Sequence, residues 1–109
     1  MSVQPRDVVL LPFPFTDLSA AKLRPVLVLR GPDSRGDFLA AQITSQAGHA
    51  LAVALAPADY ALHPLPKTSY ARPDKLFTLH TSQVVRRDSQ LSEAAFQRVH
   101  RAVCAVTGC

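Results

Sequence analysis

Residues 8–29 read VVLLPFPFTDLSAAKLRPVLVL, two apolar runs on either side of a proline-containing segment. The first run, Val8–Leu11, stops at Pro12, and the second, Val26–Leu29, stops before Gly31. Short valine-rich runs that end at proline or glycine are typical of β-strands. The sequence therefore predicts two strands, joined by a loop that is long enough to bind a ligand.

Further extended segments are predicted along the middle of the chain. They comprise residues 38–43, 50–56, 68–72 and 75–80. The run 50–56 is wholly apolar and also fits a helix, but Pro57 limits its length and we interpret it as a strand. The segment His63-Pro64-Leu65-Pro66 is predicted to be irregular, because prolines two residues apart prevent both a helix interior and a central ladder.

One helix is predicted at the C-terminal end. Ser92 is a good N-cap, and Leu91 and Phe96 occupy the two positions of a hydrophobic staple. An apolar stripe then follows with helical spacing through Phe96, Val99, Val103 and Val106. The pattern as a whole predicts a mainly β fold with a C-terminal helix (α+β), in a single domain of residues 1–109.

The composition favours an anionic partner without identifying it. The chain has 12 Lys and Arg against 8 Asp and Glu, and this excess attracts nucleic acid among other anions.

No stretch reaches the roughly 18 apolar residues of a membrane span, and the N-terminus lacks the layout of a secretory signal, so we expect a cytoplasmic protein. Cys104 and Cys109 are expected to be free thiols, and His100 with Cys104 supplies too few ligands for a zinc site.

Three local motifs follow one another in a distinctive order. They are a Phe/Pro-rich loop that closes on Arg24-Pro25, a strand that runs into Thr44-Ser45, and the stretch from Ser69 to Lys75, SYARPDK. In this order they resemble the MazF/PemK family of toxin ribonucleases, the PemK-like branch in particular, over almost the whole chain. The resemblance implies an SH3-like, PemK-like small β-barrel that forms a homodimer. It also implies cleavage of single-stranded RNA without a metal or cofactor, and inhibition by a cognate antitoxin.

The resemblance also assigns roles to individual residues. Arg24 and Thr44 match the arginine and threonine on which cleavage in the family most widely depends. Arg72 and Asp74 match an Arg-x-Asp pair with acid and base roles in some members. The side chains expected to bind RNA are Phe15, Lys22, Ser45 and Lys75.

The residue types fit metal-independent RNA cleavage, which deprotonates the 2′-OH, stabilises a crowded phosphorane and protonates the 5′ leaving oxygen. Arginine offers a planar fork to two phosphate oxygens, and Thr44 with Ser45 can add hydroxyl or backbone donors. Asp74 could supply the carboxylate. An arginine is a poor proton donor at neutral pH, so the general acid is unidentified. The residues 16–23 hold no histidine, unlike some relatives, and His80 is the nearest substitute in the motif region.

Other interpretations stay open for the same residues. Arg24 could form a surface ion pair, and Thr44-Ser45 and Pro73-Asp74 could be ordinary turns. Phe13 and Phe15 could close the core rather than stack on bases.

Two other functions are compatible with the sequence. Toxins that bind gyrase share this fold, although they resemble one another in a Trp-Gly-Ile ending, whereas this chain has no Trp. An inactive RNA-binding module is the second alternative.

Overall fold

The structure is a computed structural model that describes residues 2–12 and 22–109. Phe13 and Phe15, together with most of the first predicted loop, lie outside the described residues. The strands in the described part are β1 (Asp7–Pro12), β2 (Leu23–Arg30), β3 (Asp37–Thr44), β4 (Val53–Leu55), β5 (Ser69–His80) and β6 (Arg86–Gln90). The helix is α1 (Glu93–Thr107), and short 3₁₀ turns cover Pro57–Asp59 and Thr81–Gln83.

The strands form a single antiparallel sheet in the order β4-β5-β3-β2-β1-β6. Its two ends approach each other, because Tyr60 after β4 pairs with Leu91 after β6, and the N–H of Ala61 donates to the carbonyl of Gln90 at 2.8 Å. This near-closure confirms the predicted fold class, a mainly β, small-barrel arrangement with a C-terminal helix.

Both faces of the sheet are buried, which is why the strand sequences are continuously apolar rather than alternating. One face packs against α1 through a first core that includes Val8, Leu27, Ile43, Leu91, Phe96 and Val99. The opposite face carries a second core that includes Val9, Val26, Val28, Phe38 and Leu79. Val8 and Val9 are each fully buried, one on each face.

The two extended segments predicted at residues 68–72 and 75–80 are one strand with a bulge. Gln42 on β3 pairs with Arg72, whereas its neighbour Ala41 pairs with Leu76, so residues 73–75 have no partner in this ladder. A proline cannot donate to a ladder, which accounts for the interruption. Pro73 is fully buried, and Asp74 and Lys75 are exposed.

Strand β6 was not predicted from the sequence, since its residues Arg86–Gln90 include no apolar side chain. It pairs along β1 with a register shift between Val8 and Val9. Its inward position is taken by Ser89, which is fully buried. The strand predicted at residues 50–56 exists but is shorter, Val53–Leu55.

The helix begins as predicted. The Ser92 hydroxyl accepts a hydrogen bond from Ala95 N at 3.2 Å, and both staple residues, Leu91 and Phe96, lie in the first core. The last member of the predicted apolar stripe, Val106, is 42% exposed. The contact of the helix with the first core ends one turn earlier, at Val103.

The expectation of free thiols is wrong, because Cys104 and Cys109 form a disulfide. Gly108 ends the helix in the left-handed conformation, at φ 90°, and its N–H donates to the Cys104 carbonyl at 2.8 Å. This turn reverses the chain and brings the Cα atoms of the two cysteines to 4.6 Å, within the range that a disulfide spans.

An ion pair fixes α1 to the 3₁₀ turn that closes the sheet. Arg98 donates from its two terminal nitrogens to the two carboxylate oxygens of Asp59, each at 3.1 Å, and Asp59 Oδ2 also accepts from Ala56 N at 2.7 Å. The hydrogen bonds from Arg98 are the main reason that the pKa of Asp59 lies below its ordinary value of 3.8. The paired geometry makes this contact stronger than a typical surface ion pair.

We expect Asp59→Asn to lower the free energy of unfolding at pH 7 by about 1–2 kcal/mol. Because the folded-state pKa of Asp59 is lowered, its ion pair stabilises the protein above the unfolded-state pKa and is lost as the pH falls through the folded-state pKa. The stability difference between wild type and variant should therefore shrink below about pH 4. Denaturant unfolding at a series of pH values measures this.

The matched control is Glu93→Gln, because the ion pair of Glu93 with Arg6 is 3.5 Å long and the Glu93 side chain is 67% exposed. It should change the stability by a few tenths of a kcal/mol. A constant difference between wild type and Asp59→Asn from pH 7 down to pH 2 would show that the carboxylate charge does not stabilise the fold.

Candidate functional site

A cleft of about 480 Å³ opens at the end of the sheet where β2 begins and β3 ends. One wall consists of the start of β2, with Lys22 and Arg24, and the end of β3, with Thr44 and Ser45. The other wall consists of residues 63–67 and the outward part of β6. This volume is typical of a small-ligand or nucleotide pocket.

Pro25 accounts for the end of the β2–β3 ladder at the cleft. The carbonyl of Leu10, its partner on β1, accepts a hydrogen bond from Val85 N on the far side at 2.8 Å. Leu10 and Pro25 are therefore a non-hydrogen-bonded pair, in which the backbone N and C=O groups of the two residues point away from each other. The nitrogen of Pro25 consequently faces β3, and it has no hydrogen to donate. Pairing of β2 with β3 accordingly begins only at Val26, opposite Gln42, whereas pairing with β1 continues to Leu23.

The cleft carries a strong excess of positive charge. Among the described residues, its lining includes the cations Lys22, Arg24, Lys67 and Arg86 and one carboxylate, Asp88. Within residues 2–12 and 22–109, none of these four cations forms an ion pair with a carboxylate. Uncompensated cations at a concave surface concentrate the field and attract an anion such as a phosphodiester.

Thr44 lines the cleft and carries a hydroxyl group. Its Oγ1 accepts from the N–H of Gln46 at 3.1 Å, in a turn that follows β3. A hydroxyl has one donor and two acceptor sites, so this contact occupies an acceptor site and leaves the O–H available. The turn interpretation of Thr44-Ser45 is therefore correct, and the same turn presents a donor to the cleft.

The sequence-predicted pair Arg72 and Asp74 lies beside the cleft rather than in its lining. Thr44 pairs with Tyr70, so Arg72 is a diagonal neighbour of Thr44 on the same face of the sheet, at about 7–8 Å. Arg72 donates from Nη2 to Asp74 Oδ2 at 3.0 Å. Arg72 Nε is buried and has no hydrogen-bond partner in the described part of the chain. Lys75 is exposed on the same bulge.

The hydrogen bond from Arg72 lowers the pKa of the Asp74 carboxyl below its ordinary value, and the charge of His49 acts in the same direction. Asp74 is therefore ionised at neutral pH, as a proton acceptor must be, but the same contact makes it a weaker base.

His80, the histidine considered as a substitute for the missing loop histidine, does not contribute to the cleft lining. Its Nδ1 accepts from Ser82 N at 3.0 Å and caps the 3₁₀ turn Thr81–Gln83, and its Nε2 lies 2.8 Å from the carbonyl of Arg35 in the turn before β3. The hydrogen bonds of the His80 ring therefore give this residue a structural role.

Sequence reasoning missed the second wall of the cleft, with His63, Lys67, Arg86 and Asp88. The only sequence signal was the charged run Arg86-Arg87-Asp88, which could not be placed opposite Thr44 without the fold.

Among the described residues, no group of three or more His, Cys, Asp or Glu side chains is arranged to hold a metal ion. Nor does that part of the chain contain a helix long and apolar enough to span a membrane.

The fold and the cleft together define a small β-barrel-like protein with a cationic pocket at one end of its sheet. The family model of the PemK-like, MazF-like toxins of type II toxin-antitoxin systems matches residues 4–107, and the chain belongs to this family. The family predicted from the sequence motifs is thus confirmed. A comparison with curated protein sequences finds no match.

Solved structures of similar fold agree with this assignment. MazF from Deinococcus radiodurans is 20% identical with a TM-score of 0.78, over 100% of this chain and 99% of that chain. An endoribonuclease from a mycobacterial species, solved with its cognate antitoxin, is 20% identical with a TM-score of 0.75, over 98% of this chain and 96% of that chain. The Mycobacterium tuberculosis toxin MazF-mt6 is 20% identical with a TM-score of 0.69, over 94% and 97%. At this level of identity the likeness shows a shared fold.

Proposed function

We propose that this toxin is an endoribonuclease that cuts single-stranded messenger RNA at particular sequences, without a metal ion, and so stops translation and growth. The scissile phosphate occupies the cleft between β2 and β3. The nucleophile is the 2′-OH of the ribose whose 3′ oxygen carries this phosphate. The observation that carries the proposal is that one cleft holds four cations without a carboxylate partner among the described residues, together with the hydroxyl of Thr44.

Arg24 and Thr44 stabilise the transition state in this proposal. The guanidinium of Arg24 binds two non-bridging oxygens as negative charge develops on them, and the Thr44 hydroxyl donates to one of the same oxygens. The two residues lie at neighbouring strand ends and line the same cleft, so they can contact one phosphate group.

Arg72 and Asp74 act on the ribose side. Asp74 is ionised and lies on the bulge two residues from Arg72, which makes it the candidate base for the 2′-OH proton. Arg72 holds Asp74 through its Nη2 hydrogen bond, so it positions the candidate base. Lys22, Ser45, Lys75 and Phe15 bind the flanking nucleotides in the proposal, although Phe15 lies outside the described residues.

The experiment that tests this function incubates the purified protein with a mixture of single-stranded RNAs, with and without EDTA, and maps every new 5′ end. We expect cleavage after a short recurring sequence that EDTA does not prevent. The products should carry a 5′-hydroxyl and a 2′,3′-cyclic phosphate or its hydrolysed form, because the attacking oxygen is internal to the RNA.

Two outcomes would contradict the proposal. Binding of RNA without any new ends would identify an inactive RNA-binding module instead. New ends that carry a 5′-phosphate would show that water, and not the 2′-OH, is the nucleophile.

The partners follow from the same cleft. One related endoribonuclease was solved with its cognate antitoxin, and a MazE–MazF complex is known from Deinococcus radiodurans. We propose that an acidic antitoxin segment binds the cations of the cleft and excludes RNA, and that residues 1–109 act as one domain in a homodimer.

A further inference from the structure

The second wall of the cleft holds an imidazole and a carboxylate that the proposed roles do not yet use. His63 and Asp88 both line the cleft, and His63 Nε2 lies 3.9 Å from Asp88 Oδ1. This distance suits an ion pair when the imidazole is protonated and is too long for a direct hydrogen bond. The His63 side chain is 64% exposed and the Asp88 side chain 20%, so the carboxylate lies on the inner side and the ring faces the open cleft.

The fold holds the backbone of His63 in a defined place. The carbonyl of His63 accepts a hydrogen bond from the hydroxyl of Ser89, which is fully buried and directly follows Asp88 on β6. Pro64 and Pro66 restrict the backbone after the histidine, and Leu65 between them is buried in the first core. The histidine and its carboxylate are therefore anchored to each other through β6, although 25 residues separate them in the sequence.

The proposed reaction needs a proton donor for the leaving 5′ oxygen, and the other groups of the cleft are unsuited to that task. Lysine and arginine side chains hold their protons too strongly at neutral pH, and the threonine hydroxyl is a far weaker acid still. Imidazole is the side chain that ordinarily gains and loses a proton in this pH range. The other histidines, His49, His80 and His100, are not among the residues that line the cleft.

We propose that His63 is the general acid of RNA cleavage and that Asp88 positions it, an inference that rests on the proposed function. The 2′-OH loses its proton to the base, the P–O2′ bond forms, and the P–O5′ bond breaks. The bonding electrons pass to O5′, which takes a proton from Nδ1 of the protonated ring, the nitrogen that does not face Asp88. The products are a 2′,3′-cyclic phosphate and a 5′-hydroxyl, and the neutral imidazole regains its proton from water.

The charges around the ring suit this cycle. Asp88 attracts the protonated imidazole from one side, while Lys22, Arg24, Lys67 and Arg86 line the rest of the cleft. A bound phosphodiester offsets part of their charge.

The test compares two RNA substrates that differ in one atom. In the first, the scissile linkage is natural. In the second, sulfur replaces the bridging 5′ oxygen, and because a thiolate is a good leaving group, its departure needs no general acid. Wild type, His63→Ala and Asp88→Asn are assayed on both, with His100→Ala as the matched control, since His100 is exposed on α1 outside the cleft lining.

We expect His63→Ala to cleave natural RNA about 10²–10⁴-fold more slowly than wild type and the sulfur-containing RNA less than about 10-fold more slowly. Asp88→Asn should also slow the cleavage of natural RNA more than that of the sulfur-containing RNA, but by a smaller factor. His100→Ala should cleave both substrates at the wild-type rate. Because the His63 side chain is mostly exposed, the variant should keep the wild-type melting temperature. His63→Gln, which retains a polar side chain of similar length, serves as a second variant and should behave like His63→Ala.

Near-normal cleavage of natural RNA by both His63 variants would overturn the proposal, as would an equal loss on the two substrates, which would indicate a role in binding. Failure of wild type to cut either RNA would instead refute the proposed function, and with it this inference. The two failures are thus separate results of one experiment.

Discussion

Arg24→Ala is expected to leave the protein folded and to slow RNA cleavage by about 10²–10³-fold, the usual loss when one transition-state charge stabiliser is removed. Arg24 is exposed at the start of β2 and forms no ion pair in the described residues, so its loss removes no core contact. Single-turnover cleavage of one RNA oligonucleotide measures the chemical step, and circular dichroism reports the fold.

The control for this prediction is Arg30→Ala, because Arg30 is an exposed arginine at the opposite end of the same strand. It removes the same charge from the protein without touching the cleft. Thr44→Ala should lose activity to a similar extent as Arg24→Ala, whereas Thr44→Ser, which retains the hydroxyl, should lose much less. If the folded Arg24 variant cleaved RNA as fast as the Arg30 variant, the phosphate site would have to lie elsewhere.

RNA with a single 2′-deoxy nucleotide at the scissile position should not be cut at all. Hydrogen in place of the 2′-OH removes the nucleophile, while the phosphate that Arg24 and Thr44 are proposed to bind is unchanged. We therefore expect the analogue to compete with natural RNA for binding and yet to remain intact over a period in which natural RNA is fully cleaved. Denaturing gels of end-labelled oligonucleotides, with unlabelled analogue as competitor, measure both properties.

The matched substrate carries its single deoxy nucleotide one position further along the RNA, where no nucleophile is lost. Its cleavage should proceed at a rate close to that of natural RNA. Cleavage of the first analogue at the same bond would rule out attack by the 2′ oxygen, whatever the behaviour of the protein variants.

The parts of the fold that the sequence predicts are those in which a strong local signal agrees with the tertiary packing. Strands β1 to β3 contain continuous apolar runs, because both faces of the central sheet are buried. Helix α1 has its own N-cap and staple at Ser92 and Leu91. Strand β6 has no such signal, since it lies at the sheet edge and its only fully buried side chain is the hydroxyl-bearing Ser89.

The candidate site divides in the same way. Arg24 and Thr44 were predicted through the resemblance to the toxin family, and the structure places both in the lining of one cleft. His63 and Asp88 were missed because only long-range pairing brings residues 63–67 and β6 opposite those strand ends. For Arg72 and Asp74 the resemblance implied acid and base roles, and the structure shows an ion pair between them that lowers the pKa of Asp74.

The proline at position 25 also has an energetic consequence for the proposed binding of RNA. A cleft between two strands would ordinarily have to be kept open against the tendency of their backbones to pair, and part of the free energy of binding would then be used to separate them. Here the backbone atom that would have donated carries no hydrogen, so an RNA strand entering the cleft breaks no hydrogen bond from that position.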